Sequence, residues 1–415
     1  MGSSMKETAV TDRRPLDGIR IIDFCWVWAG PSGTELLAFL GAEVIKVESW
    51  RRMDEERSGM TRVGKVIDPN QSVSFNALNL NKLAITVDLR QPKGIELIRE
   101  LIKVSDAVTN NFSAGVLERL GLSYDALKEC KPDIIVLSMS GFGSSGPLTG
   151  YRGYAPTFEA LSGVTDMSGY QGGPPIRSAL GGHLDITNGM AGAVVLLAAL
   201  NYRLQTGEGQ FIDLAQWEVG NCVIGEAFLN FDMTGRNPSR QGNRDDIMAP
   251  HNCYPCKGKD KWVSIAIATE EEWKALCQAM GNPGWTRDER FADTLRRWKN
   301  QEELDRLIGE WTKQHTHYEV MGILQRAGVA AVPSFNQEEL VSDPHLKERG
   351  WLAEVEHPET GKKLYINPPW GLSATPARIT RHAPLVGEHN EYVFCELLGM
   401  PVEEFAGLVG EQVIY

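Results

Sequence analysis

The first fifty residues alternate apolar strand, loop, helix and apolar strand, and this order constrains the fold more than any other feature of the chain. Ile19–Phe24 reads as a strand, Cys25–Gly33 as a loop, Thr34–Leu40 as a helix stopped at Gly41, and Ala42–Val47 as a second strand followed by Glu48. Strands joined through a helix cannot close as a hairpin and pair in parallel. The alternation continues, with strands at Ala84–Val87, Ala107–Thr109, Ile134–Met139 and Gln210–Leu214, and helices at Gly94–Val104, Val116–Leu120 and Tyr124–Cys130. The expectation is a doubly wound α/β domain around a parallel sheet. Ligands in such sheets bind beyond the carboxyl ends of the strands. That makes Trp26–Gly30, Asn110–Phe112 and Ser140–Gly146 the loops to watch.

Glu48 stands where a dinucleotide site would hold a ribose, but such a site needs G-x-G-x-x-G at the first turn. The turn here is Cys25-Trp26-Val27-Trp28-Ala29-Gly30-Pro31-Ser32-Gly33, with its glycines misplaced. Neither G-x-S-x-G nor GxxxxGK[ST] occurs. A polar, unpatterned run near Asn237 marks a boundary. The expected domains are therefore a large one over 5–236, a linker over 237–260, a small one over 261–333, and a stretch at 334–415 returning to the large domain. The small domain should hold a strand at Lys261–Ala268 and helices at Glu270–Met280, Gln301–Gln314 and Tyr318–Ala327.

The net charge of −12 argues against nucleic acid or an anionic membrane as the main partner. No run of eighteen apolar residues lacks polar interruption, so no membrane span is expected. Seven scattered cysteines suggest free thiols in a reducing cytoplasm. Cys253-x-x-Cys256, with His251 before it, lacks the second pair of a zinc site, and no metal is expected. His315 and His317 read as solvated.

One carboxylate stands apart. Asp185 lies in Gly181-Gly182-His183-Leu184-Asp185-Ile186-Thr187-Asn188-Gly189, ahead of a small-residue helix expected over Met190–Leu204. An Asp before a helix is commonly a cap. The field of the helix N-terminus also favours its ionised form, and the glycines would let a ligand approach.

Several ordered motifs together resemble family III CoA-transferases. They are Asp23-Phe24, Ala29-Gly30-Pro31, Leu40–Glu48, Asn79-Leu80-Asn81-Lys82, Asn111-Phe112, Gly115–Gly121, Ser140–Gly143, Gly181–Gly189 and Thr206–Gln210, with Pro384–His389 near the end. The resemblance implies a Rossmann-like large domain built from both ends of the chain, a small domain, and an interlocked homodimer, with a heteromer of related subunits as the alternative. It implies that Asp185 is a nucleophile that takes CoA from an acyl-CoA through mixed anhydrides and an aspartyl-CoA thioester. The substrates are then an acyl-CoA, succinyl-CoA-like, and a free carboxylic acid, with no permanently bound cofactor. Position by position, Val27, Trp28, Ala29, Lys82, Asn111, Phe112 and Arg119 match CoA contacts, Arg152 replaces a lysine there, and Arg51 or Arg52 is expected at the adenosine phosphates.

Trp26 and Trp28 stand where the formyl-CoA branch carries His and Gln, and Arg244–Pro250 replaces its Gly-rich loop. With Tyr154, the indoles imply an apolar acyl pocket and an apolar or aromatic acceptor, a benzylsuccinate-type acid being the candidate. The alternatives are an α-methylacyl-CoA racemase and a non-catalytic partner subunit. Gly153-Tyr154-Ala155 replaces the racemases' Gly-His-Asp, and a phenol is a poor near-neutral base.

Overall fold

The computed structural model describes residues 13–58, 68–177 and 182–415. Gly181 and residues 5–12, which the expectations above include, lie outside them. The chain divides into two compact units. The first takes the chain up to Val164, Arg177–Thr234 and Leu346–Tyr415; the second takes Thr165–Ile176 and Gly235–His345.

The first unit is built on six parallel strands: β1 (Arg20–Asp23), β2 (Glu43–Glu48), β3 (Leu83–Thr86), β4 (Ala107–Asn110), β5 (Ile135–Ser138) and β6 (Phe211–Asp213). Their order is β3-β2-β1-β4-β5-β6, so the winding reverses between β1 and β4. The helices used below are α1 (Ala29–Phe39), α2 (Pro92–Lys103), α3 (Ala155–Leu161), α4 (His183–Thr206), α5 (Gln216–Val223) and α6 (Gly225–Thr234).

Alternate strand residues face opposite layers. Ile22, Ile45, Val108 and Val136 join Leu97, Ile98, Leu101 and Ile102 of α2 in one core. Ile21, Val44, Ala107 and Ile135 join Leu37 and Ala38 of α1 and Ala193, Leu196 and Ala199 of α4 in the other. Apolar residues filling both strand faces are why the strands read as continuous apolar runs.

Two expected helix starts move upstream. The first helix begins at Ala29 rather than Thr34, placing Pro31 in its first turn, where a missing N–H is harmless. The long helix begins at His183 rather than Met190. Asp185 is therefore inside the first turn of α4, and Gly182 occupies the cap. Gly189 serves the helix crossing: a Cβ there would stand 2.1 Å from Ser32 Oγ, and one on Gly33 would stand 2.4 Å from the Gly189 carbonyl oxygen. Among the described residues α4 is the one helix long and apolar enough to cross a membrane, but its inner face is buried in the second core.

In the second unit, β7 (His251–Pro255), β8 (Trp262–Ala266) and β9 (Ala330–Pro333) form an antiparallel sheet. Tyr254, Val263 and Ile265 pack with Leu276, Leu304, Ile308, Val320 and Leu324. The expected linker over 237–260 is thus partly a core strand, and the unit runs on to His345 rather than closing at Pro333. His317, expected in solvent, is buried with Nε2 2.8 Å from Glu339 Oε1.

Candidate active site

The reversal between β1 and β4 places two loops side by side, and the residues after each are tied together. Asn111 Oδ1 accepts from the Trp26 N–H at 2.8 Å, and Asn111 Nδ2 donates to the Trp26 carbonyl at 2.7 Å. The Trp26 indole then stands edge-on to Phe112, ring centroids 5.4 Å apart, with the Arg52 guanidinium over its face at 5.1 Å. Arg52, not Arg51, therefore faces this loop. Arg51 turns away to Gln412, the Tyr415 hydroxyl and Asp88.

Val27 has φ 63°, a left-handed conformation that a β-branched side chain resists. It is held by Asp54, whose Oδ1 accepts from the Val27 N–H at 3.0 Å and also from the Glu56 N–H. Asp54 Oδ2 is paired with Lys46 at 2.9 Å, both side chains fully buried. Trp28 Nε1 donates to Glu56 Oε1 at 2.9 Å. The loop after β1 is thus fixed by a carboxylate that is itself neutralised from beneath, so local strain is over-determined by its surroundings.

Lys82, expected at CoA, is corrected by its burial. Its side chain is fully enclosed, and Nζ reaches Asp23 Oδ2, the Pro31 carbonyl, Thr34 Oγ1 and Asn79 Oδ1 within 3.2 Å. Burial would raise the Asp23 carboxyl, but Lys82 and Lys46 outweigh it and hold it down at about 2. Glu35, buried close by, is pushed up to about 8 by desolvation, against Lys82 and the Leu80 N–H. Asn111 likewise serves the loop backbone. Ala29 is buried at the start of α1, whereas Arg119 and Arg152 are exposed. Tyr154 caps α3, its hydroxyl 3.4 Å from Glu55 Oε2.

Asp185 sits in a different setting. Its Oδ1 accepts from Gln216 Nε2 at 2.5 Å. Oδ2 lies toward Gly182: a Cβ on that glycine would be 3.7 Å from Oδ2 and 3.3 Å from the Trp28 ring. Burial pushes the carboxyl up to about 6; the Gln216 hydrogen bond opposes the shift, Glu159 and Glu56 add to it, and His183 opposes it. Glu159 is fully buried on α3, with His183 Nδ1 2.9 Å from its Oε1. The helix field alone would favour an ionised, low-pKa carboxylate; burial among two other carboxylates wins.

Sequence reasoning missed Gln216, Glu159, Glu56 and His183. A signal was available for Gln216, which stands just past the carboxyl end of β6 at Asp213. Among the described residues no cluster of His, Cys, Asp or Glu has metal-holding geometry.

Asp185 is thus a partly buried carboxyl, raised to about 6 and backed by an amide donor, beside the loops that follow β1 and β6. The chain belongs to the CoA-transferase family III, whose model matches residues 16–390, and it is a CoA-transferase. It is 34% identical over 401 residues to a succinyl-CoA–D-citramalate CoA-transferase of Chloroflexus aurantiacus, covering 97% of this chain and 98% of that protein. It is 31% identical to a succinate–glutarate CoA-transferase of Agrobacterium fabrum, covering 92% and 96%. A CAIB/BAIF family structure from Brucella suis superposes with TM-score 0.84 at 30% identity, covering 93% of this chain and all of that one.

Proposed function

We propose that the protein moves CoA from a succinyl-CoA-like donor to a free carboxylic acid, with Asp185 as covalent nucleophile. Oδ2 attacks the donor thioester carbonyl; the C–S bond breaks, leaving CoA thiolate and a mixed anhydride. The thiolate attacks Asp185 Cγ and expels the donor acid, giving an aspartyl-CoA thioester. The acceptor carboxylate attacks Cγ in turn and releases the thiolate, which takes the acceptor's acyl group and frees Asp185. The observation that carries this reading is the Asp185 environment, with a value of about 6 that leaves an ionised nucleophile at neutral pH.

Val27, Trp28, Phe112 and Arg52 would flank the thioester and CoA arm, with Arg119 and Arg152 free to meet phosphates, since charge-assisted contacts to phosphate are the strong kind. Trp28, against Gly182 beside Asp185, supplies an apolar wall for the acyl group, which supports an acceptor with an apolar or aromatic body such as a benzylsuccinate-type acid. The relatives named for D-citramalate and glutarate favour a second reading, a short dicarboxylate. Racemisation is disfavoured because Glu55 pushes the Tyr154 hydroxyl further above its ordinary value, away from a near-neutral base.

A homodimer is supported by α6, which buries none of its residues and exposes Phe228, Leu229, Phe231 and Met233. Cytoplasmic residence is supported by seven free cysteines. The test is a panel of free acids incubated with succinyl-CoA and followed by thioester chromatography. Transfer to aromatic acids supports the apolar pocket. Transfer to short dicarboxylates alone sinks that pocket, and no transfer to any acid, with hydrolysis only, sinks the transferase reading of Asp185.

A further inference from the structure

We propose that Gln216 is the oxyanion donor for Asp185: its Nε2–H holds Oδ1 and stabilises the charge that gathers there whenever Cγ is attacked. The inference rests on the covalent reading above. The two oxygens of Asp185 are not equivalent. Oδ1 is held by Gln216 at 2.5 Å, and Oδ2 lies toward Gly182, 3.7 Å from where a Cβ on that glycine would stand. An ionised carboxylate accepts only, so the Gln216 amide must present its NH2 to it.

The oxygen free to attack is therefore Oδ2. Once it is bonded to the donor's acyl carbon, Oδ1 is the carbonyl oxygen of the anhydride. When thiolate attacks Cγ, the electron pair of the C=O bond moves to Oδ1. It returns as the Cγ–Oδ2 bond breaks, so Oδ2 departs in the donor carboxylate. When the acceptor carboxylate attacks the aspartyl thioester, the pair moves to Oδ1 again and returns as the C–S bond breaks. Oδ1 thus carries the developing charge in both attacks at Cγ. A fixed donor at that point lowers both barriers without reorganising, which is how oxyanion holes act.

The fold holds Gln216 rigidly. It is the first residue of α5, 6% exposed, and its backbone N–H donates to the Ser140 carbonyl beyond β5 at 3.0 Å. The next N–H, of Trp217, donates to the Gly141 carbonyl at 3.1 Å. One turn on, a Cβ at Gly220 would come within 2.9 Å of Ser162 and 3.2 Å of Leu184, so α5 is seated against the start of α4. The site otherwise gathers negative charge, from Glu159 and Glu56, with the His183 ring 2.9 Å from Glu159 Oε1. An amide supplies a donor there without itself titrating.

The test uses the full-length enzyme with Gln216→Met, which keeps length and burial but has no N–H, and Gln216→Glu, which keeps shape but only accepts when ionised. Thermal unfolding establishes that each variant is folded. The CoA adduct on Asp185 is formed with succinyl-CoA, acceptor acid is added, and adduct decay is followed by rapid-quench mass measurement. Loss of one oxyanion donor should slow resolution about 100-fold in Gln216→Met. The acid limb of kcat/KM should also move to higher pH, because a hydrogen bond that favours the ionised carboxylate has gone. Wild-type adduct with an unchanged decay rate in Gln216→Met overturns the role of Gln216 alone. Absence of any adduct in the wild-type enzyme overturns the covalent reading on which it rests.

Discussion

Two groups of buried charge lie at the carboxyl edge of the same sheet, and they are paired very differently. In the first, Asp23 and Asp54 each meet a lysine, Lys82 and Lys46, with every side chain fully enclosed. In the second, Asp185 meets one neutral amide and is repelled by two carboxylates. A closed pair satisfies its own charges and has nothing left for a ligand; it fixes backbone. An under-paired carboxylate retains reactivity, and that difference separates scaffold from chemistry more cleanly than residue type does.

Variants in the two groups should behave oppositely. Asp185→Asn should lower CoA transfer by more than about 1,000-fold with little change in unfolding temperature, since a nucleophile is lost and no closed pair is opened. The wild-type pH profile of kcat/KM should show an acid limb near about 6, activity falling as the pH drops through it because only the ionised form attacks. A limb at an ordinary carboxylate value would count against the crowded environment.

Lys82→Met should do the reverse, destabilising the fold by about 3–5 kcal/mol because Asp23 is left buried and unpaired. Denaturant unfolding measures it. If stability holds while the KM for acyl-CoA rises, Lys82 is a ligand contact after all. The Asp23 value of about 2 lies below its unfolded one, so the stability it contributes is present above the ordinary carboxylate range and is lost as pH falls toward about 2.

Val27→Gly relieves the left-handed strain and should keep or raise stability, while a freer loop lowers kcat about 10-fold through misplacement at the site. Equal kcat would show that the strain serves nothing in catalysis. The effect expected for Glu35→Gln is confined to the upper pH range. The Glu35 carboxyl, held up at about 8, keeps its proton when folded but loses it when unfolded, so stability falls as pH rises from the ordinary range toward 8. The variant should melt a few degrees higher at pH 8 and unchanged at pH 5 in scanning calorimetry.

The sheet was legible because strands buried on both faces leave continuous apolar runs, as in Ile19–Phe24 and Ile134–Met139. The glycines around Asp185 drew attention to it, but its place relative to the helix was misread. The polar look of Gly182–Asn188 hid the helical residues His183–Gly189 ahead of the expected start at Met190, and a capping Asp proved to be a first-turn Asp with Gly182 at the cap. Lys82 was misassigned because a charge in a motif gives no sign of whether its partner is protein or ligand; Asp23 is 59 positions away in sequence. The pairing of Gln216 with Asp185 was hidden for the same reason, the two lying 31 positions apart.

The central claim is that Asp185 becomes acylated during turnover. Incubation with acyl-CoA, trapping with hydroxylamine and peptide mapping test it most directly. The expected result is a hydroxamate on Asp185, absent from Asp185→Ala and absent without acyl-CoA. A hydroxamate on Glu159 or Glu56, or steady CoA transfer by Asp185→Ala at the wild-type rate, would contradict it.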